Sequence, residues 1–244
     1  MNFISSLKKN IGGFLVIIFL ALIFRTLIFE PFHIPSSSMK PNLLIGDYIF
    51  VKKWSYGYDK YALPFHPSFI HGKIFSKSPK RGDVVVFVPP KDSKRYYIKR
   101  VIGISGDKIS IGNGEIFVND CKILNEDNGV FTDRIEELNR SIDFKISTEK
   151  NCDGRNYQVM NLSGKPSLYY EEEYIVPENH VFMMGDNRDN SKDSRFDEVG
   201  FIPEENIVGK ACFIGISFNT KIDFGSISDL LKFVRYNRIF HSIN

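Results

Sequence analysis

The chain of 244 residues carries a formal net charge of +3, with 43% hydrophobic and 25% charged residues. That balance fits a folded globular chain and excludes a mainly disordered one. A charge this small, with Lys and Arg spread along the chain, gives no electrostatic footprint for a nucleic-acid partner.

Residues 11–29 (IGGFLVIIFLALIFRTLIF) form an apolar run. A helix of about 20 such residues crosses a bilayer core. Arg25 is its one charge, near the end, where a long side chain can snorkel to the interface. Lys8 and Lys9 precede the run and Glu30 follows it. The positive-inside rule therefore predicts residues 1–10 in the cytoplasm, an anchor over 11–29 and the remainder outside. A cleaved signal peptide is the alternative. It is disfavoured by Arg25 and by the lack of a small-x-small site shortly after the run.

The rest reads as mostly β. Residues 47–52 (DYIFVK), 83–88 (DVVVFV) and 96–102 (YYIKRVI) are short β-branched and aromatic runs between turn residues. Residues 108–111 and 115–118 flank Gly112-Asn113-Gly114, a hairpin signal. Further strands are predicted at 157–162, 180–184 and 208–218. This spacing suggests antiparallel sheets or a barrel rather than βαβ units. Residues 106–174 are more polar and read as an inserted smaller β domain. It divides a catalytic β domain made of 30–105 and 175–220. Residues 56–80 read as a long surface loop. In the C-terminal segment, 221–244, apolar spacing over 227–234 predicts a short helix.

The three cysteines, Cys121, Cys152 and Cys212, form no CxxC pair. A Cys121–Cys152 disulfide in an oxidising compartment and buried free thiols both remain open. There is no HExxH, and no metal or organic cofactor is implied.

Chemistry is suggested first by Pro35-Ser36-Ser37-Ser38-Met39-Lys40-Pro41. Ser38 follows the apolar run by about nine residues, which span at most about 30 Å, so it would work near a membrane surface. A serine nucleophile needs a base. No GxSxG elbow is present and no histidine sits in a recognisable triad, which leaves a neutral lysine. Lys99 lies in Tyr97-Ile98-Lys99-Arg100-Val101. Strand alternation puts Tyr97, Lys99 and Val101 on one face and Ile98 and Arg100 on the other. Lys99 can then be buried while the Arg100 charge points away. Bringing a lysine from about 10.4 to about 8 needs roughly 3 kcal/mol in favour of the neutral form, which desolvation can supply. A third block, GDNRDNSKDSR at 185–195, is dense in Asp, Asn, Arg and Ser. Its arginines and lysine oppose a calcium loop, and a polar network bracing a site fits better.

Together these blocks resemble bacterial type I signal peptidases. The matching pieces are PSSSMKPNL (35–43), GDYIFVKKWSYG (46–57), KRGDVVVF (80–87), YYIKRVIGISGDKI (96–109) and GDNRDNSKDSR (185–195), in the family's order. The resemblance implies a mostly β Ser–Lys dyad endopeptidase that removes signal peptides from exported preproteins. By motif position Ser38 is the expected nucleophile and Lys99 the general base. Ser36 and the Ser38 N–H are the expected oxyanion hole, and Ser191 the serine that hydrogen-bonds the lysine. Asp193 and Arg195 match a bracing ion pair, with Asp186 and Arg188 in the same support. Ser37 stands where glycine is common in the family. Phe32, Ile34, Pro35, Tyr97 and Ile98 are expected to shape the substrate pockets. The implied partners are signal peptides and the phospholipid bilayer, near the secretion translocon, with the catalytic domain on the outer face of the cytoplasmic membrane. The rival readings are a Ser–Lys protease with another client, a pilin precursor or a self-cleaving repressor (the latter disfavoured by the apolar span and the lack of a DNA-binding segment), and a non-catalytic envelope-binding module.

Overall fold

The computed structural model describes residues 12–19, 28–58, 72–135, 140–163, 171–219 and 232–243. Among these described residues fourteen strands make three antiparallel sheets. The largest has seven, in the order β1-β2-β14-β3-β4-β12-β13. Its members are β1 (Phe29–His33), β2 (Asp47–Lys52), β3 (Val84–Phe87), β4 (Tyr97–Gly103), β12 (His180–Met184), β13 (Ile202–Pro203) and β14 (Ile207–Ser217). A four-stranded sheet, β11-β5-β6-β7, joins β5 (Lys108–Gly112), β6 (Glu115–Val118), β7 (Cys121–Lys122) and β11 (Glu172–Ile175). The third holds β8 (Leu124–Ile135), β9 (Arg140–Lys150) and β10 (Asn156–Leu162), with β9 in the middle.

The sequence explains the central strands. In β2, Asp47, Ile49 and Val51 are buried, the alternation of a strand with one covered face. β3 (VVVF) is buried on both faces, as a continuous apolar run requires. Two clusters cover it. Val84 and Val86 pack with Ile34, Met39, Leu43, Ile98 and Ile214. Val85 and Phe87 pack with Val101, Met183 and Ile207. The β5–β6 turn has φ 51° at Asn113 and 81° at Gly114, as a type I′ hairpin demands.

A third cluster joins Ile109, Ile111, Ile116 and Val118 of the four-stranded sheet to Ile102 of β4 and Phe182 and Met184 of β12. The segment after Gly106 is thus packed onto the strand that carries Lys99. Cys121 and Cys152 form a disulfide, closing the end of β7 onto the turn after β9. Cys212 is free.

Residues 12–19 are helical, and Phe14 to Phe19 are exposed. Among the described residues no helix is long and apolar enough to cross a membrane, and residues 11 and 20–27 of the expected 11–29 span lie outside them. At its far end the expectation is corrected. Phe29 already belongs to β1, paired with Lys52, and its ring packs edge-on against Phe50 and Trp54. Most of the 56–80 loop and of the expected helix at 227–234 also lies outside the described residues. Of its described residues, Lys232 and Phe233 are helical, and Val234, its last residue, bridges Phe218 as an isolated antiparallel pair.

Candidate active site

The turn after β1 carries the serines. Lys40 N–H donates to the Ser37 carbonyl and Leu43 N–H to the Met39 carbonyl, winding residues 37–43 into a compact turn. Met39 is 1% and Leu43 0% exposed. Burying two such side chains contributes about 1.5–3 kcal/mol each and anchors the turn to the sheet. Ser38 is left at the surface of that core, facing β4.

Lys99 Nζ lies 2.6 Å from Ser38 Oγ. Both residues are buried, at 4% and 8% exposure. Burial pulls the lysine pKa from 10.5 down to about 8. Asp193 and Asp186 push it back up, and Arg195 adds to the lowering. The dry surroundings therefore outweigh the carboxylates. Ser36 Oγ is 3.3 Å from Ser38 Oγ.

Residues 185–195, which follow β12, clamp the serine turn. Asn187 N–H donates to the Ser38 carbonyl at 3.0 Å, and its amide to the Ser37 carbonyl at 3.2 Å. Asn190 reaches Ser37 Oγ at 2.9 Å. Gly185 is required by close approach: a Cβ there would stand 2.2 Å from Ser191 Oγ and 2.5 Å from the Ser38 carbonyl.

Ion pairs hold this loop. Asp193 and Arg195 are bidentate at 2.7 and 2.8 Å, and Asp193 also accepts from Gly185 N–H. Asp186 and Arg100 are bidentate at 2.7 and 2.8 Å, with both side chains fully buried. Burial opposes the Arg100 charge, yet Asp186 beside it carries its pKa above the usual value. Arg188 makes a buried two-pronged pair with Glu149 of β9.

A cleft of ≈ 380 Å³ runs past Ser38 and Lys99. Phe32, Ile34, Pro35, Tyr97 and Ile98 all line it. β12 pairs with β4 only as far as Met184 opposite Arg100. Among the described strands, none pairs with Tyr97–Lys99 on that side, so an open β edge borders the cleft.

A family model described as signal peptidase, peptidase S26, matches residues 7–216. The chain belongs to that family. Relatives called signal peptidase I are 42% identical in Rickettsia conorii (strain Malish 7), over 97% of this chain and 93% of theirs. In Rickettsia prowazekii (strain Madrid E) the identity is 40%, over 100% and 96%. A crystal structure of a signal peptidase I from Enterococcus faecalis V583 is 23% identical, covering 55% of this chain and 97% of its own, with TM-score 0.31. That superposition is too loose to bear on function. Family membership makes the chain a peptidase and supports signal-peptide removal by serine peptidase chemistry.

Within this member of the family, the structure brings Ser36, Ser38, Lys99, Asp186, Asp193 and Arg195 around one site. One expectation changes. Ser191 is buried beside Gly185, but its hydroxyl makes no hydrogen bond among the described residues, so the expected bond to Lys99 is absent. Arg100 points away from Lys99, into a buried pair with Asp186. Asp186 and Arg188 also take separate partners. Sequence reasoning missed those partners, Arg100 and Glu149, which lie 86 and 39 positions away in the chain. Arg100 carried one usable signal: a cation in a strand buried on both faces needs a carboxylate.

Proposed function

We propose that this member of the signal peptidase family is a membrane-anchored endopeptidase that releases exported preproteins, with Ser38 as nucleophile and Lys99 as general base. The observation that carries the reading is the buried Lys99 amine 2.6 Å from the Ser38 hydroxyl.

The neutral amine takes the Ser38 proton as Oγ attacks the scissile carbonyl carbon. The oxyanion is stabilised by the Ser38 N–H and the Ser36 hydroxyl. The protonated lysine then gives its proton to the departing amine, leaving an acyl-serine. Water, deprotonated by Lys99, attacks that ester and frees Ser38. Asp193–Arg195 and Asp186–Arg100 hold the geometry without touching the reacting atoms.

Substrate enters as an added strand. The open edge at Tyr97–Lys99 offers backbone pairing, and Phe32, Ile34, Pro35 and Ile98 wall the pockets. The apolar run that precedes β1 anchors the chain with residues 1–10 in the cytoplasm. Its closeness to β1 keeps the cleft at the bilayer, where a signal peptide still resides, and near the translocon that delivers it. This tethering raises the effective substrate concentration. The Cys121–Cys152 disulfide supports an oxidising location outside the cytoplasm.

The test is processing of a preprotein by the full chain in lipid vesicles, with the product N-terminus sequenced. The reading requires one cut after the signal peptide, lost in Ser38→Ala. An uncut preprotein with wild type, or an unchanged cut with Ser38→Ala, overturns it.

A further inference from the structure

The nucleophile and the base sit on separate pieces of chain. Ser38 is in the turn after β1, and Lys99 is in β4. Asn42, in the Ser38 turn, reaches across the gap between them. Its Nδ2 donates at 2.7 Å to Asp186 Oδ2, and the same carboxylate is paired with Arg100, the residue next to Lys99. The same amide donates at 2.7 Å to the Gln158 carbonyl of β10. Both amide hydrogens are therefore used, each on a different element.

Asn42 is itself gripped through its main chain. Its carbonyl accepts from Arg238 Nη2 at 2.8 Å. Arg238 is fixed by Asp47, at 2.6 Å from Nη2 and 3.1 Å from Nε. Asp47 is fully buried and also accepts from Ser217 Oγ and Leu44 N–H, so it is a rigid post. Arg238 belongs to a C-terminal strap that returns along β14, with Phe240 and Ile243 N–H groups donating to the Ile214 and Cys212 carbonyls. The match to the family model ends at residue 216, so Arg238 lies beyond it.

We propose that Asn42 is a positioning residue that keeps the Ser38 turn in register with the Lys99 strand, with Arg238 locking Asn42 in place. The proposal rests on the Ser38–Lys99 reading above. It predicts an effect on the chemical step rather than on substrate binding, because Asn42 and Arg238 do not line the cleft.

The test is steady-state kinetics of the full chain in detergent on a signal-peptide substrate, at a temperature where each variant is fully folded by circular dichroism. Asn42→Leu keeps the size and removes both donated bonds. It should lower kcat about 10- to 100-fold, the cost of roughly 1 Å of misplacement, with KM held within about twofold. Asn42→Ser, which returns one donor, should regain part of the loss. Arg238→Ala should lower kcat in the same way, and Arg238→Lys less. Unchanged kcat with only a lower unfolding temperature would make Asn42 structural and overturn the proposal. So would a rise in KM alone. If Asn42→Leu does not fold, Asn42→Ser and Arg238→Lys decide: wild-type kcat in both overturns it. Full activity in Ser38→Ala, run alongside, would instead defeat the underlying dyad.

Discussion

Lowering the pH through the titration of Lys99 tests the electrostatics of the site. As the proposed base, Lys99 works only when neutral, so activity should rise with pH along the acid limb. Burial takes the amine from 10.5 to about 8. That shift corresponds to about 3 kcal/mol of preference for the neutral form. At pH 7 a lysine of pKa about 8 is neutral roughly one time in ten, whereas an exposed one is neutral about one time in 3000. Burial thus enlarges the competent population about 300-fold. Between about pH 9 and about pH 6 the neutral fraction falls roughly 90-fold, nearly tenfold per unit below the midpoint. The assay is kcat/KM for a quenched fluorescent signal-peptide substrate across that range, since this ratio reports the free enzyme. A flat profile down to pH 6 would refute the reasoning, because no buried amine would be titrating. A limb still climbing above about pH 10 would place the amine in water.

Three further outcomes follow from the packing. Asp186→Asn leaves the Arg100 charge buried without its counter-charge and should cost about 3–5 kcal/mol of stability, measured by urea unfolding. Replacing both with apolar residues should recover much of that loss. Gly185→Ala forces a methyl into Ser191 and the Ser38 carbonyl, so activity should fall sharply in peptide-cleavage assays even where circular dichroism shows the sheets intact. On the proposed mechanism, Ser36→Ala removes one oxyanion donor and should lower kcat about 100- to 1000-fold with little change in KM.

The central strands were readable because burial wrote itself into their sequence. DYIFVK alternates and VVVF does not, and each has the exposure its pattern requires. β8 was not readable. Its described side chains from Leu124 to Val130 are exposed, so no buried face imposes a period. The strand is held by pairing with β9 instead. β1 was hidden because FEPFH carries Glu and Pro, which suit an edge strand but give no strand signal. At the site, residue types and motif order pointed to Ser38 and Lys99, while the partners of the charged loop stayed invisible. Which carboxylate meets which arginine depends on how β9 and β4 are folded against residues 185–195. Asn42 escaped notice for the same reason, since its partners come from three other parts of the chain.

The central claim is that Lys99 acts as a neutral base on Ser38. Its most direct test is cleavage of a preprotein by Lys99→Ala, compared with wild type at matched, folded concentrations. We expect a folded protein with no detectable product across the whole pH range. Product formation by Lys99→Ala at a rate near that of wild type would contradict the account.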